Sequence, residues 1–281
     1  IYETTNDIEN LKKTIIEAKK FLKNNFIVKL YEGILLYKNE KFNDAINNLE
    51  SFSFDIKEIK KEQIKFSILG KCYDRLQNPD KAMSYFKKAN DIGFKLKHNN
   101  VDKNLYLDEI KKRSIFFNKI KKKEFLSMEV PDIQDSPIFM IGFPRSGTTL
   151  LDTILRSHSS IEVIEEKEIV SKLIESIKKI TKNNFENLNK IEINQINKIR
   201  NIYFKNLGFY IQNKKNSKIY IDKLPLNIIH VGEIYKIFPK AKFIFSLRHP
   251  CDSVLSCFMQ FFTSNNAMAN FFNLDDSAKL Y

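Results

Sequence analysis

The chain has 281 residues, of which 43% are hydrophobic, and it carries a formal net charge of +13. This length predicts about two domains, and the longest apolar stretches have the length of strands, so a transmembrane protein is not expected. A basic field suits polyanionic ligands, but the lysines mix with glutamate along the whole chain rather than forming one patch, so nucleic acid is not an expected partner.

The chain has three cysteines and four histidines, and neither set has the spacing of a metal site. We therefore expect no metal ion and no disulfide framework. The expected location is the cytoplasm.

Residues 1–123 are expected to form an all-helical region, because their apolar residues recur at helical spacing. Within this region Gly33 and Ala45 recur as Gly70 and Ala82, at an offset of 37 residues. This pattern resembles the tetratricopeptide repeat, a pair of helices that touch at small residues. The alternative is a set of ordinary helical hairpins with no special binding surface.

The segment 124–137 contains two prolines and several acidic residues, and we interpret it as a linker. After it, short apolar strands alternate with helical segments. Such alternation predicts an α/β fold of three layers, in which helices cover both faces of a parallel sheet. The expected strands lie at 137–143, 161–165, 218–223 and 242–248.

The first strand leads into the sequence IFMIGFPRSGTT at 138–149, followed by a helix. A glycine turn between a strand and a helix directs backbone amides at an anion, which predicts a P-loop-like phosphate site. Gly142 and Gly147 have the spacing of a nucleotide-binding loop, but Thr148 occupies the position of the lysine that holds a triphosphate. Arg145 is the cation of this loop, and its planar guanidinium suits phosphate or sulfonate oxygens. The alternative is an ordinary corner between a strand and a helix.

Charged side chains follow the other three strands. Glu165 and Glu166 come at the end of the second strand, Lys223 ends the third, and Arg248 follows the fourth, with Ser256 eight residues later. The carboxyl ends of parallel strands meet at one edge of the sheet, where ligands bind. We therefore expect these residues to lie near the phosphate loop.

The motifs PRSGTTL and LRHPCDSVLS resemble the two nucleotide-binding motifs of the sulfotransferases that use 3′-phosphoadenosine 5′-phosphosulfate (PAPS). Together with the preceding repeats and the glutamate pair, they are most similar to the tetratricopeptide-repeat sulfotransferases, which are related to the protein-tyrosine sulfotransferases. The resemblance implies a fold of the P-loop nucleotide-binding type at 138–281, with further chain needed to complete the domain at its C-terminal end.

The resemblance also implies a role for each matching residue. Glu166 is expected to be the general base, for which it would need a partly dry pocket, and Lys223 is expected to stabilise the leaving-group oxygen. The residues expected to bind the two ends of PAPS are Arg145, Ser146, Gly147, Thr148 and Thr149 on the 5′ side, and Arg248 and Ser256 on the 3′ side.

The expected function is therefore transfer of a sulfuryl group from PAPS, without a metal, to a hydroxyl of a peptide tyrosine or of a carbohydrate. The helical repeats are expected to present this peptide or glycan. Two alternatives remain open at this point: a P-loop phosphotransferase that uses a nucleoside triphosphate, and a non-catalytic interaction protein built on the repeats.

Overall fold

The computed structural model describes residues 2–97, 100–120, 136–211 and 219–281. Contacts divide the chain into two compact units, which we call the helical unit and the α/β unit. The helical unit comprises Ile1–Asn104 and Val254–Leu280, and the α/β unit comprises Leu105–Ser253 and Tyr281. Most of the expected linker at 124–137 lies outside the described residues. The domain boundaries at 123 and 138 therefore stay a prediction.

The helical unit begins with α1 to α5, and three of these helices have a side-chain cap at their first turn, from Asp7, Asn25 and Asn78. Such caps satisfy amides that have no partner within the helix. The helix bounds in this unit are α1 (Ile8–Phe21), α2 (Phe26–Lys38), α3 (Phe42–Glu50), α4 (Ile59–Arg75), α5 (Pro79–Leu96), α6 (Lys103–Lys119) and α12 (Leu274–Leu280). Helix α6 begins in the helical unit and continues into the α/β unit.

The two glycines of the sequence repeat occupy equivalent contacts. A Cβ atom at Gly33 would lie 2.4 Å from the Leu49 side chain, and one at Gly70 would lie 2.9 Å from the Phe86 ring. Glycine at these positions lets α2 approach α3, and α4 approach α5. The offset of 37 residues is thus repeated in the packing as well as in the sequence.

The α/β unit contains a sheet of four parallel strands in the order β2-β3-β1-β4. The prediction of a parallel sheet with interspersed helices is confirmed. The bounds are β1 (Ile138–Gly142), α7 (Thr148–Arg156), β2 (Ile161–Glu165), α8 (Ile169–Thr181), α9 (Ile193–Tyr210), β3 (Ile219–Lys223), α10 (Val231–Ile237), β4 (Lys242–Ser246) and α11 (Pro250–Phe258), which continues into the helical unit.

Both faces of the sheet are covered. On one face, Met140, Val163 and Ile221 pack against Leu151 and Leu155 of α7. On the other face, a larger cluster joins the sheet to α8, α9 and α10 through buried residues that include Phe139, Leu173, Ile196 and Ile234. No helix among the described residues has the length and apolar content needed to cross a bilayer.

The strand register brings the functional candidates to one edge. Gly142 is level with Ser246 of β4, while Lys223 is level with Met140 of β1 and with Glu165 of β2. Because all four strands run in the same direction, the loops that follow them emerge together.

Candidate functional site

The turn after β1 has the backbone that an anion site requires. Gly147 has φ +98° and directly precedes α7, and Arg145 has φ +67°. The first hydrogen bond of α7 runs from the Leu151 amide to the Gly147 carbonyl over 3.1 Å, and no side chain among the described residues caps this helix. The amides of Thr148 and Thr149 therefore lie at an uncapped, electropositive helix end.

The turn contains both buried and exposed side chains. Ser146 and Thr148 are buried, whereas Arg145 and Thr149 are exposed. The buried Ser146 Oγ has no hydrogen-bond partner among the described residues. Its hydroxyl is thus fixed by packing and has hydrogen-bonding capacity left for a ligand group that reaches it.

Arg248 lies beside this turn. Its Nη1 donates a hydrogen bond to the Arg145 carbonyl over 3.3 Å, and its Nε lies 3.5 Å from Asp252 Oδ2. The Tyr281 hydroxyl donates to the Arg248 carbonyl over 3.2 Å. Two motifs that are far apart in the sequence are therefore adjacent. Ser256 lies on α11, in the part of the chain that groups with the helical unit.

Lys223 forms the centre of a second cluster at this edge. Its side chain is fully buried, and its Nζ lies 2.9 Å from Glu165 Oε1 and 3.0 Å from Glu166 Oε1. Glu166 has φ +50°, and its amide donates to the Lys223 carbonyl over 2.7 Å. This backbone bond holds the carboxylate of Glu166 over the ammonium.

The electrostatics of this cluster favour charged groups. Burial alone lowers the pKa of Lys223, but the hydrogen bonds and charges of both glutamates outweigh it, so the pKa is raised above its ordinary value. The hydrogen bond from Lys223 in turn lowers the pKa of Glu165. Glu166 keeps 56% of its side chain exposed. The described residues thus do not form the partly dry pocket expected around a general base.

Sequence reasoning missed two charged residues that extend this cluster. Arg156 Nη2 lies 3.0 Å from Asp152 Oδ2 and 3.4 Å from Glu165 Oε2, and Asp152 is buried. Asp152 and Arg156 are four residues apart, which is the spacing of a helical ion pair. That spacing could have predicted the pair, but it could not have predicted the contact with Glu165.

Asp222 precedes Lys223 but points to the opposite face of the sheet. Its Oδ2 accepts a hydrogen bond from the Tyr203 hydroxyl over 3.3 Å, and its Oδ1 has no partner among the described residues. Burial raises the pKa of Asp222 to about 7, although the bond from Tyr203 acts in the other direction. This carboxyl therefore belongs to the core rather than to the candidate site.

The exposed surface of the site suits a ligand with two anionic groups. The uncapped end of α7 and the exposed Arg145 offer donors for one group, and the exposed Arg248 offers donors for another. Guanidinium groups bind phosphate and sulfate oxygens through paired hydrogen bonds. The described residues include no group of three or more side chains able to hold a metal ion.

Comparison with known proteins gives a family and a curated relative for this chain. The profile described as the sulfotransferase family matches residues 137–281 of the chain. A protein of Aquifex aeolicus (strain VF5), described as an uncharacterized protein, is 31% identical over 142 residues, which are 48% of this chain and 18% of that protein. The chain thus spans less than a fifth of the length of this curated relative. No solved structure matches the chain.

Proposed function

This chain belongs to the sulfotransferase family, and we propose that it transfers a sulfuryl group from PAPS to the hydroxyl of a peptide tyrosine or of a carbohydrate. One observation carries the proposal: the guanidinium of Arg248 lies against the backbone of Arg145 at the uncapped start of α7. A donor with phosphate groups at both ends needs two neighbouring cationic sites.

The 5′-phosphosulfate is assigned to the P-loop-like turn, where Arg145, Ser146, Gly147, Thr148 and Thr149 supply amides, hydroxyls and one guanidinium. The 3′-phosphate is assigned to Arg248 and Ser256. A helix N-terminus stabilises an anion through its free amides and its dipole.

In the proposed reaction, the acceptor oxygen attacks sulfur in line with the bond to the 5′-phosphate. The new oxygen–sulfur bond forms while the bond between sulfur and the phosphate oxygen breaks, and its electron pair stays on adenosine 3′,5′-bisphosphate. Glu166 takes the acceptor proton, and the ammonium of Lys223 stabilises the charge on the departing oxygen. Glu166 and Lys223 contact each other over 3.0 Å, so the proposed base and the proposed stabilising cation lie side by side.

We assign the helical unit to the tetratricopeptide type. The tetratricopeptide-repeat sulfotransferases, which the sequence resembles, also carry such repeats before the sulfotransferase domain. The equivalent contacts of Gly33 and Gly70 support this assignment. Stacked repeats of this kind form extended concave binding surfaces, so the unit is proposed to bind the acceptor peptide or glycan.

The proposal is tested by nucleotide binding and by transfer. Isothermal titration calorimetry should detect binding of adenosine 3′,5′-bisphosphate in the absence of Mg²⁺. In a transfer assay, the protein should move the ³⁵S-labelled sulfuryl group of PAPS to a peptide or an oligosaccharide. Binding of ATP with Mg²⁺ in preference to the bisphosphate would instead support a phosphotransferase, which Thr148 in place of the P-loop lysine disfavours. Absence of binding to either nucleotide would contradict both functions.

A further inference from the structure

Strand β2 lies at the edge of the described sheet, next to β3. Two hydrogen bonds define which of its backbone groups face β3. The Ile219 amide donates to the Ser160 carbonyl over 3.0 Å, and the Glu166 amide donates to the Lys223 carbonyl over 2.7 Å. Backbone groups alternate in a parallel ladder. The amides and carbonyls of Val163 and Glu165 therefore point away from β3.

These outward groups face a groove. The groove encloses about 630 Å³ and is lined by the whole of β2. Its other lining residues include the basic Arg156 and Lys167 and two exposed aromatic residues at the end of α9, Phe209 and Tyr210. The outward groups of β2 have no strand partner within the described sheet, and such a row of backbone groups at a sheet edge is a template for another extended chain.

One end of the groove reaches the reacting residues. Glu165, the last residue of β2, lines the groove and also contacts the ammonium of Lys223 over 2.9 Å. Glu166 follows directly and contacts the same ammonium over 3.0 Å. A ligand in the groove would thus extend along β2 and end where Glu166 and Lys223 lie.

We propose that the acceptor is a polypeptide in extended conformation, which pairs with the outer edge of β2 and thereby places its hydroxyl side chain at Lys223 and Glu166. This inference rests on the proposed sulfuryl transfer. A peptide backbone offers donors and acceptors that repeat every second residue, as the edge of β2 does. A glycan has no such repeat of amides and carbonyls, so the edge favours a peptide. Phe209 and Tyr210 offer apolar surface for alternate side chains.

The first experiment replaces the outward amide of Val163. The Val163→Pro variant removes an N–H that does not face β3, and proline is tolerated at sheet edges where its nitrogen faces outward. Val163→Ala is the matched control, because it shortens the side chain but keeps the amide. The probe is a fluorescein-labelled peptide of alternating alanine and serine around one central tyrosine. Loss of one hydrogen bond is expected to weaken its binding about tenfold in Val163→Pro relative to Val163→Ala.

The second experiment leaves the protein unchanged and methylates alternate backbone amides of the same peptide. Methylation of one alternating set should weaken binding and transfer, while methylation of the other set should not. This pattern decides the proposal even if Val163→Pro does not fold, which loss of adenosine 3′,5′-bisphosphate binding would reveal.

Equal peptide affinity in both Val163 variants, together with equal effects of both methylation sets, would overturn the proposal. Transfer to oligosaccharides without binding of the peptide would also overturn it. So would a Val163→Pro variant that keeps peptide binding but no longer self-associates, because the edge of β2 would then pair with a second copy of the chain. Failure of the wild-type protein to bind adenosine 3′,5′-bisphosphate would contradict the proposed sulfotransferase function. In that case, the affinities of the two Val163 variants for the peptide, measured without the nucleotide, still show whether the edge of β2 binds a polypeptide.

Discussion

Arg248 donates a hydrogen bond from Nη1 to the backbone carbonyl of Arg145 over 3.3 Å. This contact joins the loop after β4 to the turn after β1, and it exists because β1 and β4 are neighbours in the sheet, with Gly142 level with Ser246. The guanidinium of Arg248 is thus held against the backbone of Arg145, and both residues are exposed.

Replacement of Arg248 by alanine is expected to weaken binding of adenosine 3′,5′-bisphosphate by about 10-fold to 100-fold, because charge-assisted hydrogen bonds to a phosphate are lost. The measurement is isothermal titration. Arg75→Ala is the control, since Arg75 is an exposed arginine at the end of α4, and its affinity should equal that of the wild type. Equal affinity of Arg248→Ala and Arg75→Ala would refute the assignment of Arg248.

Replacement of Lys223 by methionine should lower the rate of sulfuryl transfer by about 10²-fold to 10³-fold, because a preorganised donor to the leaving oxygen is removed. The measurement is a single-turnover assay with labelled PAPS. The affinity for adenosine 3′,5′-bisphosphate should change much less than the rate of sulfuryl transfer, because Arg145 and Arg248 are retained. A variant with normal transfer would exclude Lys223 from the reaction.

Gly147→Ala should destabilise the protein by about 1 to 2 kcal/mol, because alanine is strained at φ +98°. Among the described residues, a Cβ atom there would meet only Ser246 Oγ, at 4.0 Å, so the expected loss comes from the backbone rather than from a clash. The measurement is the free energy of unfolding in urea.

Gly208→Ala is the matched control for this substitution. Gly208 lies inside α9, and a Cβ atom there has no neighbour within 4 Å among the described residues. Alanine at this position should therefore stabilise the protein by about 0.5 to 1 kcal/mol. The prediction for Gly147 fails if both variants change stability in the same direction.

Asp222 should make stability depend on pH. Burial raises the pKa of Asp222 to about 7, whereas an aspartate in the unfolded chain has its ordinary pKa of 3.8. The folded state therefore holds a proton that the unfolded state releases, and stability falls as pH rises from about 4 to about 7. The total loss is about 4 kcal/mol, since each unit of pKa corresponds to about 1.4 kcal/mol.

Asp222→Asn should abolish most of this slope, because asparagine does not titrate but can still accept the hydrogen bond from Tyr203. Urea unfolding at pH 5 and at pH 8 provides the measurement. The variant should gain stability relative to the wild type as pH rises. An identical loss of stability between these pH values in both proteins would show that Asp222 is not the titrating group.

Much of the local structure was predictable from the sequence. The strand ending at Gly142, the turn around Gly147 and the helix from Thr148 were expected at nearly their observed positions, because glycine spacing and apolar periodicity act over a few residues. The four strands were likewise predicted within about two residues of their observed bounds. Lys223, Glu165 and Glu166 were recognised as residues at strand ends.

The partners of these residues were decided by the tertiary structure. The strand order places β3 between β2 and β1, so Lys223 is level with Glu165, and its ammonium contacts both glutamates. The same order leaves the outer edge of β2 unpaired within the described sheet, and it buries Asp222 against Tyr203. Periodicity reports which face of a strand is apolar, but it carries no information about which strands become neighbours. That choice depends on how the whole chain packs, and it determines which charged side chains meet at the candidate site.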